Sequence, residues 1–213
     1  MRLIMEYKGI IFDLDGVICS TDEYHYLAWK TLADRLSVPF DRERNHLIRG
    51  LSRMASLEII LEKSGRIFSE TEKNALAEEK NQLYRKLLCR MSPADLSEDV
   101  KYTLLSLRSS GIKLAIGSSS KNTPFILDRI GLGNFFDAVA DGNCISRSKP
   151  DPEVFLKAAA MLGLQPSECL VVDDAHSGIE AALAGGFDCA ATGYAEQDDR
   201  AKFHLSQLSD LVS

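Results

Sequence analysis

The sequence lacks three features: a block of basic residues, an apolar run long enough to cross a bilayer, and a pair of cysteines at metal-ligand spacing. Its 213 residues carry 25 Lys and Arg against 31 Asp and Glu, which gives a formal net charge of −6. Because the basic residues are dispersed, neither nucleic acid nor a membrane surface is an expected partner. Any basic residue with a function must therefore act locally, within one site.

The cysteines show no sign of pairing. Their number is odd, and they are scattered as Cys19, Cys89, Cys144, Cys169 and Cys189. Thiols without pairing motifs are typical of a reducing compartment. The first ten residues carry charges and lack the features of a signal peptide. We therefore expect a cytoplasmic protein, and the acidic balance without an exposed apolar pattern predicts a monomer.

Two patterns divide the chain. Residues 20–92 are typical of helices and contain no convincing strand; the predicted helices are 22–36, 52–63 and 70–90. From residue 93 onward, helices alternate with short apolar strands, which are predicted at 113–117, 137–140, 169–173 and 188–192. This alternation predicts an α/β fold with a Rossmann-like parallel sheet. We assign residues 1–19 and 93–213 to this core and residues 20–92 to an all-helical insert.

The most informative motif follows the first apolar run. Residues 9–12 are typical of a strand buried on both faces, and Asp13 and Asp15 come directly after it. In an extended chain two residues at this spacing share one side, and Gly16 permits a sharp turn. Because open α/β sheets bind ligands at the carboxyl ends of their strands, both carboxylates can face one reacting group. Taken alone, the pair is also compatible with a simple cap at the strand end.

A second polar motif follows the strand 113–117. Three serines begin at Ser118 and are followed by Lys121 and Asn122, where a new helix is predicted. Hydroxyls and free backbone N–H groups at such a point suit a phosphate. The same residues also suit a simple helix cap.

Charged residues mark two more positions. Asp173 and Asp174 end the strand 169–173, and paired carboxylates beside another acidic strand end repel unless a cation such as Mg²⁺ lies between them. A solvated loop is the alternative. Lys149 precedes Pro150, and it would neutralise charge near a phosphate or else face solvent.

These motifs occur along the chain in the order Asp13–Asp15, Ser118, Lys149 and Asp173–Asp174. In this order they resemble the four motifs of the haloacid dehalogenase-like phosphotransferases, and the resemblance covers essentially the whole chain. It implies a HAD-like core, and it identifies the helical insert as a small cap domain.

The cap motifs resemble the β-phosphoglucomutase family within that superfamily. The matching segments are 21–30, 49–53, 80–81, 91–95 and 118–122. Generic sugar-phosphate phosphatases share the core motifs but normally lack His25 with Lys80 and the Arg53 loop. The resemblance implies that β-glucose 1-phosphate and glucose 6-phosphate interconvert through an aspartyl-phosphate. β-Glucose 1,6-bisphosphate would be the intermediate and activator.

The resemblance also assigns catalytic roles. Asp13 would be the nucleophile and Asp15 the general acid and base. Ser118 and Lys149 would bind the transferring phosphoryl oxygens. A dyad in the cap, His25 with Lys80, would position Asp15 when the cap closes and excludes water.

The implied metal is Mg²⁺. Its ligands would be Asp13, the backbone carbonyl of Asp15, Asp174 and, directly or through water, Asp173. Position 173 departs from the family pattern, since the best-known mutases have Glu there. The shorter carboxylate could change a metal distance or admit a water molecule.

A second phosphate site is implied for the end of the bisphosphate that is not reacting. Arg53 would form it, since a guanidinium can hold phosphate with two hydrogen bonds. Trp29 shares a helix face with His25 and would stack on the sugar or anchor the cap to the core. The other predicted substrate-binding residues are Thr21, Gly50, Leu51, Ser52, Ser120, Lys121 and Asn122.

Two other functions remain open at this point. A Mg²⁺-dependent phosphatase for small sugar phosphates would use Asp13 and Asp15 in the same way but admit water. A catalytically silent binding protein on the same fold is disfavoured because Asp13, Asp15, Lys149 and Asp174 are all present. A cofactor-free dehalogenase is disfavoured too, since it has no use for a metal-binding carboxylate pair.

Overall fold

The computed structural model describes residues 6–48 and 51–213. Gly50, one of the predicted substrate-binding residues, lies outside this part. The chain divides into two compact units, Met1–Ser20 with Ser92–Ser213, and Thr21–Met91. We call them the α/β unit and the helical unit. Among the described residues, none of the helices combines the length and the apolar character needed to span a membrane.

A six-stranded parallel sheet forms the centre of the α/β unit. Its strands are β1 Gly9–Phe12, β2 Lys113–Gly117, β3 Ala138–Ala140, β4 Cys169–Asp173, β5 Asp188–Thr192 and β6 Phe203–Leu205. They lie in the order β3-β2-β1-β4-β5-β6. The predicted parallel α/β core is thereby confirmed. The last strand was not predicted, because its three residues form no apolar run of their own.

Eight α-helices accompany the strands in the described residues. They are α1 Asp22–Arg35, α2 Arg42–Leu47, α3 Arg53–Leu61, α4 Glu70–Leu88, α5 Glu98–Ser109, α6 Thr123–Arg129, α7 Glu153–Leu162 and α8 His176–Ala184. Helix α2 was not predicted, since it is short and mostly polar. It begins because the Asp41 carboxylate accepts a hydrogen bond from the Arg44 N–H, at 2.9 Å.

The central strand β1 sets the position of the functional residues. All four of its residues are buried, and Phe12 is in register with Ile116 of β2 and Val172 of β4. Because the strands are parallel, the residues that follow these three positions meet at one edge of the sheet. Asp13, Ser118 and Asp173 are therefore neighbours although they are far apart in sequence.

Packing against one face of the sheet fixes this edge. Helices α7 and α8 contribute Phe155 and Ile179 to a buried cluster with Ile11 and Val171. Gly117, at the end of β2, allows the close approach, since a Cβ there would lie 2.6 Å from the Phe155 ring. A side chain at position 117 would therefore require the Phe155 ring to move.

The helical unit has its own core. Trp29 and Leu32 of α1 pack with Leu57 and Ile60 of α3, all nearly or fully buried. Thr21 occupies the position before α1, and its side chain makes no capping hydrogen bond. Helix α4 begins at a capping box in which Ser69 and Glu72 bond each other's backbone N–H groups.

Candidate active site

Asp13 lies directly after β1 and is only 8% exposed. Its backbone N–H donates to the Val172 carbonyl at 2.9 Å, which extends the pairing of β1 with β4 by one residue. Its carboxylate forms an ion pair with the Lys149 ammonium. The same ammonium lies 2.8 Å from an oxygen of Asp173. Lys149 is therefore a buried cation between two carboxylates, and its predicted alternative as a solvent-facing residue is wrong.

Burial and the neighbouring charges shift the pKa values of Asp13 and Lys149. Burial raises the pKa of Asp13 well above its usual value; Lys149 opposes this shift, whereas the neighbouring carboxylates add to it. Burial acts against the charge of Lys149, but Asp13 and Asp173 hold its pKa above the usual value. The ammonium consequently stays charged, and it compensates a concentration of negative charge at the sheet edge.

The turn after Asp13 is shaped by a glycine. Gly16 has φ = +90°, a conformation that residues with a side chain rarely adopt. A Cβ at this position would lie 2.1 Å from an oxygen of Asp174. The Asp174 carboxylate therefore lies against the turn that carries Asp15, close to the backbone of the DxD segment.

Asp173 is held by donors on both of its oxygens. One accepts the Ala175 N–H at 2.9 Å, and the other faces Lys149. Gly178 provides the space, since a Cβ there would lie 1.9 Å from the Asp173 carboxyl carbon. Both oxygens of Asp173 therefore already have a hydrogen-bond donor in this structure.

The oxygen-rich donor set at this edge fits a hard divalent cation. The carboxylates of Asp13, Asp173 and Asp174 lie near one another at this edge, and Asp174 lies against the turn at Gly16. Within residues 6–48 and 51–213, no three Asp, Glu, His or Cys side chains are arranged around one metal position. A cation at this edge would accordingly need backbone or water oxygens besides the carboxylates.

The serine loop follows β2. Its first residue, Ser118, is buried, and its N–H donates to the Ala140 carbonyl of β3 at 3.1 Å. The hydroxyls of Ser118 and Ser120 accept the N–H groups of Ser120 and Asn122, each at 3.2 Å. These bonds fold the loop on itself. The alternative in which a serine caps α6 is therefore wrong, since Asn122 precedes this helix and makes no side-chain capping bond.

Lys121 and Asn122 complete the loop. Lys121 is exposed, and its carbonyl accepts a hydrogen bond from the Asn143 side chain at 3.0 Å. Gly142 allows this contact, because a Cβ there would lie 2.4 Å from the Ser119 carbonyl oxygen. The serine loop and the 141–143 loop consequently support each other.

In the helical unit, His25 and Lys80 are in contact. The Lys80 ammonium lies 2.9 Å from His25 Nδ1 and 4.6 Å from the ring centres of both Trp29 and Tyr84. Since an ammonium only donates, His25 Nδ1 must accept, and its proton must be on Nε2. Trp29 lies in the core of the helical unit, where it packs and contacts this cation.

Arg53 begins helix α3. Ser52 caps the helix by accepting the Ala55 N–H at 3.2 Å, while Leu51 precedes the cap. The Arg53 guanidinium donates to the Asn81 side chain at 2.9 Å and lies 3.8 Å from Glu78. Arg53 is thus held at the end of α3 that lies beside α4.

One segment near the site was not predicted from the sequence. Residues 193–200 follow β5, and the Ala195 N–H donates to the Asp174 carbonyl at 2.9 Å. Gly193, with φ = +54°, lies against the Asp174 side chain. Only the glycine after an apolar strand signals this segment in the sequence.

The acid sensitivity of the protein provides a test of the His25 environment. Burial lowers the pKa of His25 well below its usual value, and the nearby Lys80 and Arg53 charges lower it further. As the pH falls below about 6.5, the unfolded chain therefore binds this proton more readily than the folded protein, and stability decreases. We expect His25→Gln to lose less unfolding free energy than the wild type between about pH 7.5 and about pH 5.5.

Urea unfolding at the two pH values measures this difference. His46→Gln is the matched control, because His46 is exposed in the same unit. Equal pH dependence of the wild type and His25→Gln would contradict the prediction.

The sequence matches known proteins along most of its length. Residues 7–186 match the model of the haloacid dehalogenase-like hydrolase family. A β-phosphoglucomutase of Bacillus subtilis is 40% identical over 207 residues, covering 96% of this chain and 92% of the relative. A fructose-1-phosphate phosphatase of Escherichia coli is 32% identical over 183 residues, covering 85% of this chain and 94% of the relative.

The fold also matches a solved structure. The crystal structure of a β-phosphoglucomutase from Clostridium difficile superimposes with a TM-score of 0.90 at 36% identity. The match covers 96% of this chain and 93% of that chain. Both units therefore have counterparts in a single known structure.

Proposed function

The chain belongs to the haloacid dehalogenase-like hydrolase family, as an enzyme of the β-phosphoglucomutase type, and we propose that Asp13 carries the phosphoryl group between two sugar oxygens. Intramolecular phosphotransfer on a sugar phosphate is the activity that its relatives indicate. The observation that carries the residue assignment is the buried Asp13 carboxylate at the sheet edge, in contact with Lys149.

The covalent step forms one bond and breaks one. A carboxylate oxygen of Asp13 attacks phosphorus, and the bond from phosphorus to the sugar oxygen breaks. Asp15 donates a proton to the departing oxygen. In the reverse direction Asp15 accepts the proton of the attacking hydroxyl, so that the proton count is restored after each transfer.

Lys149 and Ser118 bind the phosphoryl oxygens in this proposal. Because Lys149 remains charged and already lies beside Asp13, it can stabilise negative charge that develops during the transfer. Ser118 follows the neighbouring strand, and its backbone is fixed by the hydrogen bond to β3. The loop 118–122 would be the phosphate-binding loop of the α/β unit.

A divalent cation completes the site, and we take it to be Mg²⁺. Asp13, Asp174 and the Asp15 carbonyl would hold it, with Asp173 as a direct or water-mediated ligand. When bound, the cation neutralises charge on the transferring phosphoryl group. Asp174 is the best-placed ligand, because its carboxylate lies against the turn at Gly16.

The helical unit would supply the residues that separate a mutase from a phosphatase. Arg53 is assigned to the phosphate that is not reacting, with Ser120, Lys121 and Asn122. His25 is assigned to orient Asp15, because its Nε2–H is free of the contact with Lys80 and can donate. β-Glucose 1,6-bisphosphate would then be the activator.

The cellular setting forms part of the proposal. We propose a cytoplasmic monomer, on the cysteine spacing and acidic balance of the sequence. The relatives named above act on phosphorylated sugars, as glucose and fructose phosphates.

The decisive experiment follows two products from one substrate. β-Glucose 1-phosphate is supplied with Mg²⁺ and a catalytic amount of β-glucose 1,6-bisphosphate, and glucose 6-phosphate and free phosphate are measured separately. We expect glucose 6-phosphate without matching release of phosphate. Fructose 1-phosphate serves as the parallel substrate, and we expect little phosphate from it.

Stoichiometric phosphate from either substrate, without glucose 6-phosphate, would instead establish a phosphatase. Omission of the bisphosphate is the internal control. A mutase should show a lag or a low rate without it, whereas a phosphatase should not respond to it.

A further inference from the structure

A cluster of polar side chains lies behind the loop that carries Asp174. The Asp198 carboxylate, with a side chain 6% exposed, accepts from three groups, of which the Arg200 backbone N–H at 3.2 Å is one. The Arg200 guanidinium donates to both of its oxygens, at 2.8 and 2.6 Å, and His176 Nδ1 lies at 2.7 Å. We call His176, Asp198 and Arg200 the Asp198 clamp.

The clamp joins two segments on either side of Asp174. His176 is the first residue of α8 and lies two positions after Asp174, while Asp198 and Arg200 belong to the segment after β5. That segment contacts Asp174 itself through the hydrogen bond from the Ala195 N–H to the Asp174 carbonyl. Asp198 also donates its own N–H to the Ala195 carbonyl, at 2.8 Å.

Asp174 is thereby fixed at three points. The Ala195 N–H holds its carbonyl, Gly193 lies against its Cβ, and Asp198 holds the start of α8 that follows it. A carboxylate that must bind a cation gains affinity when its backbone is prevented from moving, as second-shell partners do in other metal sites.

We infer that Asp198 is a positioning residue that holds the 174–176 turn in place so that Asp174 can bind the divalent cation. The inference rests on the proposed function, because it assigns Asp198 to the metal site of that reaction. Asp198 itself neither touches the substrate nor binds the cation. Removal of its carboxylate should weaken cation binding through Asp174 and leave the chemistry at saturating cation largely intact.

The test is a titration of the intact protein with Mg²⁺ alone, followed by calorimetry and by the increase in melting temperature. For Asp198→Ala we expect the half-saturating Mg²⁺ concentration to rise by about tenfold or more, the range found for other second-shell partners. Asp198→Asn keeps the shape of the side chain and should give a smaller rise. In turnover, the Mg²⁺ concentration for half-maximal activation should rise by the same factor, with the maximal rate largely retained.

Asp188→Asn is the matched control. Asp188 also forms charged hydrogen bonds, to Tyr7 and Lys202 at 2.6 and 2.7 Å, but it lies at the opposite end of β5. Its loss should lower the melting temperature without changing the half-saturating Mg²⁺ concentration. If Asp198→Ala does not fold, Asp198→Asn and Arg200→Lys test the same contact with smaller changes.

Unchanged Mg²⁺ affinity in folded clamp variants, with a lower melting temperature as in the control, would show a purely structural role and overturn the inference. That result leaves the proposed function intact, since the wild type would still bind Mg²⁺ and form glucose 6-phosphate. A wild type that does not bind Mg²⁺ would overturn the proposed metal site and the inference together.

Discussion

The Asp13→Asn variant is expected to lose turnover of β-glucose 1-phosphate by at least about 10⁴-fold, the scale seen when other covalent nucleophiles are removed. The amide of Asn has nearly the same shape as the carboxylate but does not form the phosphoryl ester. The loss should therefore appear in the maximal rate, and no phosphoryl group should be found on the protein by mass spectrometry after incubation with the bisphosphate.

The fold should tolerate this change. Burial disfavours the Asp13 charge, and three other carboxylates are near it, so a neutral side chain also relieves repulsion. Asp99→Asn is the matched control. Asp99 lies at the start of α5, away from the sheet edge, and its carboxylate accepts a hydrogen bond from the Leu208 N–H. This variant should keep full activity. Full turnover by Asp13→Asn would contradict the whole covalent mechanism.

The Lys149→Met variant is expected to lose about 3–5 kcal/mol of unfolding free energy, since it removes the partner of a buried ion pair. Lys149 is buried between Asp13 and Asp173, with side chains 11% and 1% exposed, and two uncompensated carboxylates would remain. Turnover should fall as well, because the ammonium beside the transferring phosphoryl group is lost. Urea unfolding at neutral pH measures the stability.

A double variant separates charge compensation from packing. Adding Asp173→Asn to Lys149→Met should restore part of the stability, because only one of the two carboxylates then remains charged. Lys8→Met is the matched control, since Lys8 is an exposed Lys that pairs with Glu168 at 2.6 Å. Its loss should change the unfolding free energy far less, because solvent screens an exposed ion pair. If the Lys8 and Lys149 variants lost the same unfolding free energy, the buried ion pair would contribute no more to stability than the exposed one.

Local patterns in the sequence predict much of the fold. Each long strand of the sheet is a short apolar run, and burial on both faces requires that pattern. The longer helices, such as α4 and α7, are amphipathic and begin or end at recognisable residues, for example the left-handed Gly163 after α7. Helix α2 and strand β6 escaped prediction because their few residues carry no such pattern.

The sequence is less informative about the site. It indicates which residues carry charge at strand ends, but each motif taken alone left a cap or a solvated loop open beside a ligand site. The structure shows that Lys149 lies between Asp13 and Asp173, and that Asp173 is bonded on both oxygens. It also brings the unpredicted segment 193–200 against Asp174.

The sequence by itself therefore determined the α/β class, the family and the residue types at the ends of β1, β2 and β4. Apolar periodicity and short motifs encode these features, because each pattern can be recognised from a few neighbouring residues and the motifs follow a fixed order along the chain. Only the tertiary structure decided which charges face one another, since Lys149, in the loop between β3 and α7, lies 136 positions from Asp13 along the chain and contacts it only in the folded protein. Contacts of this range depend on how whole elements pack, and no local pattern carries that information.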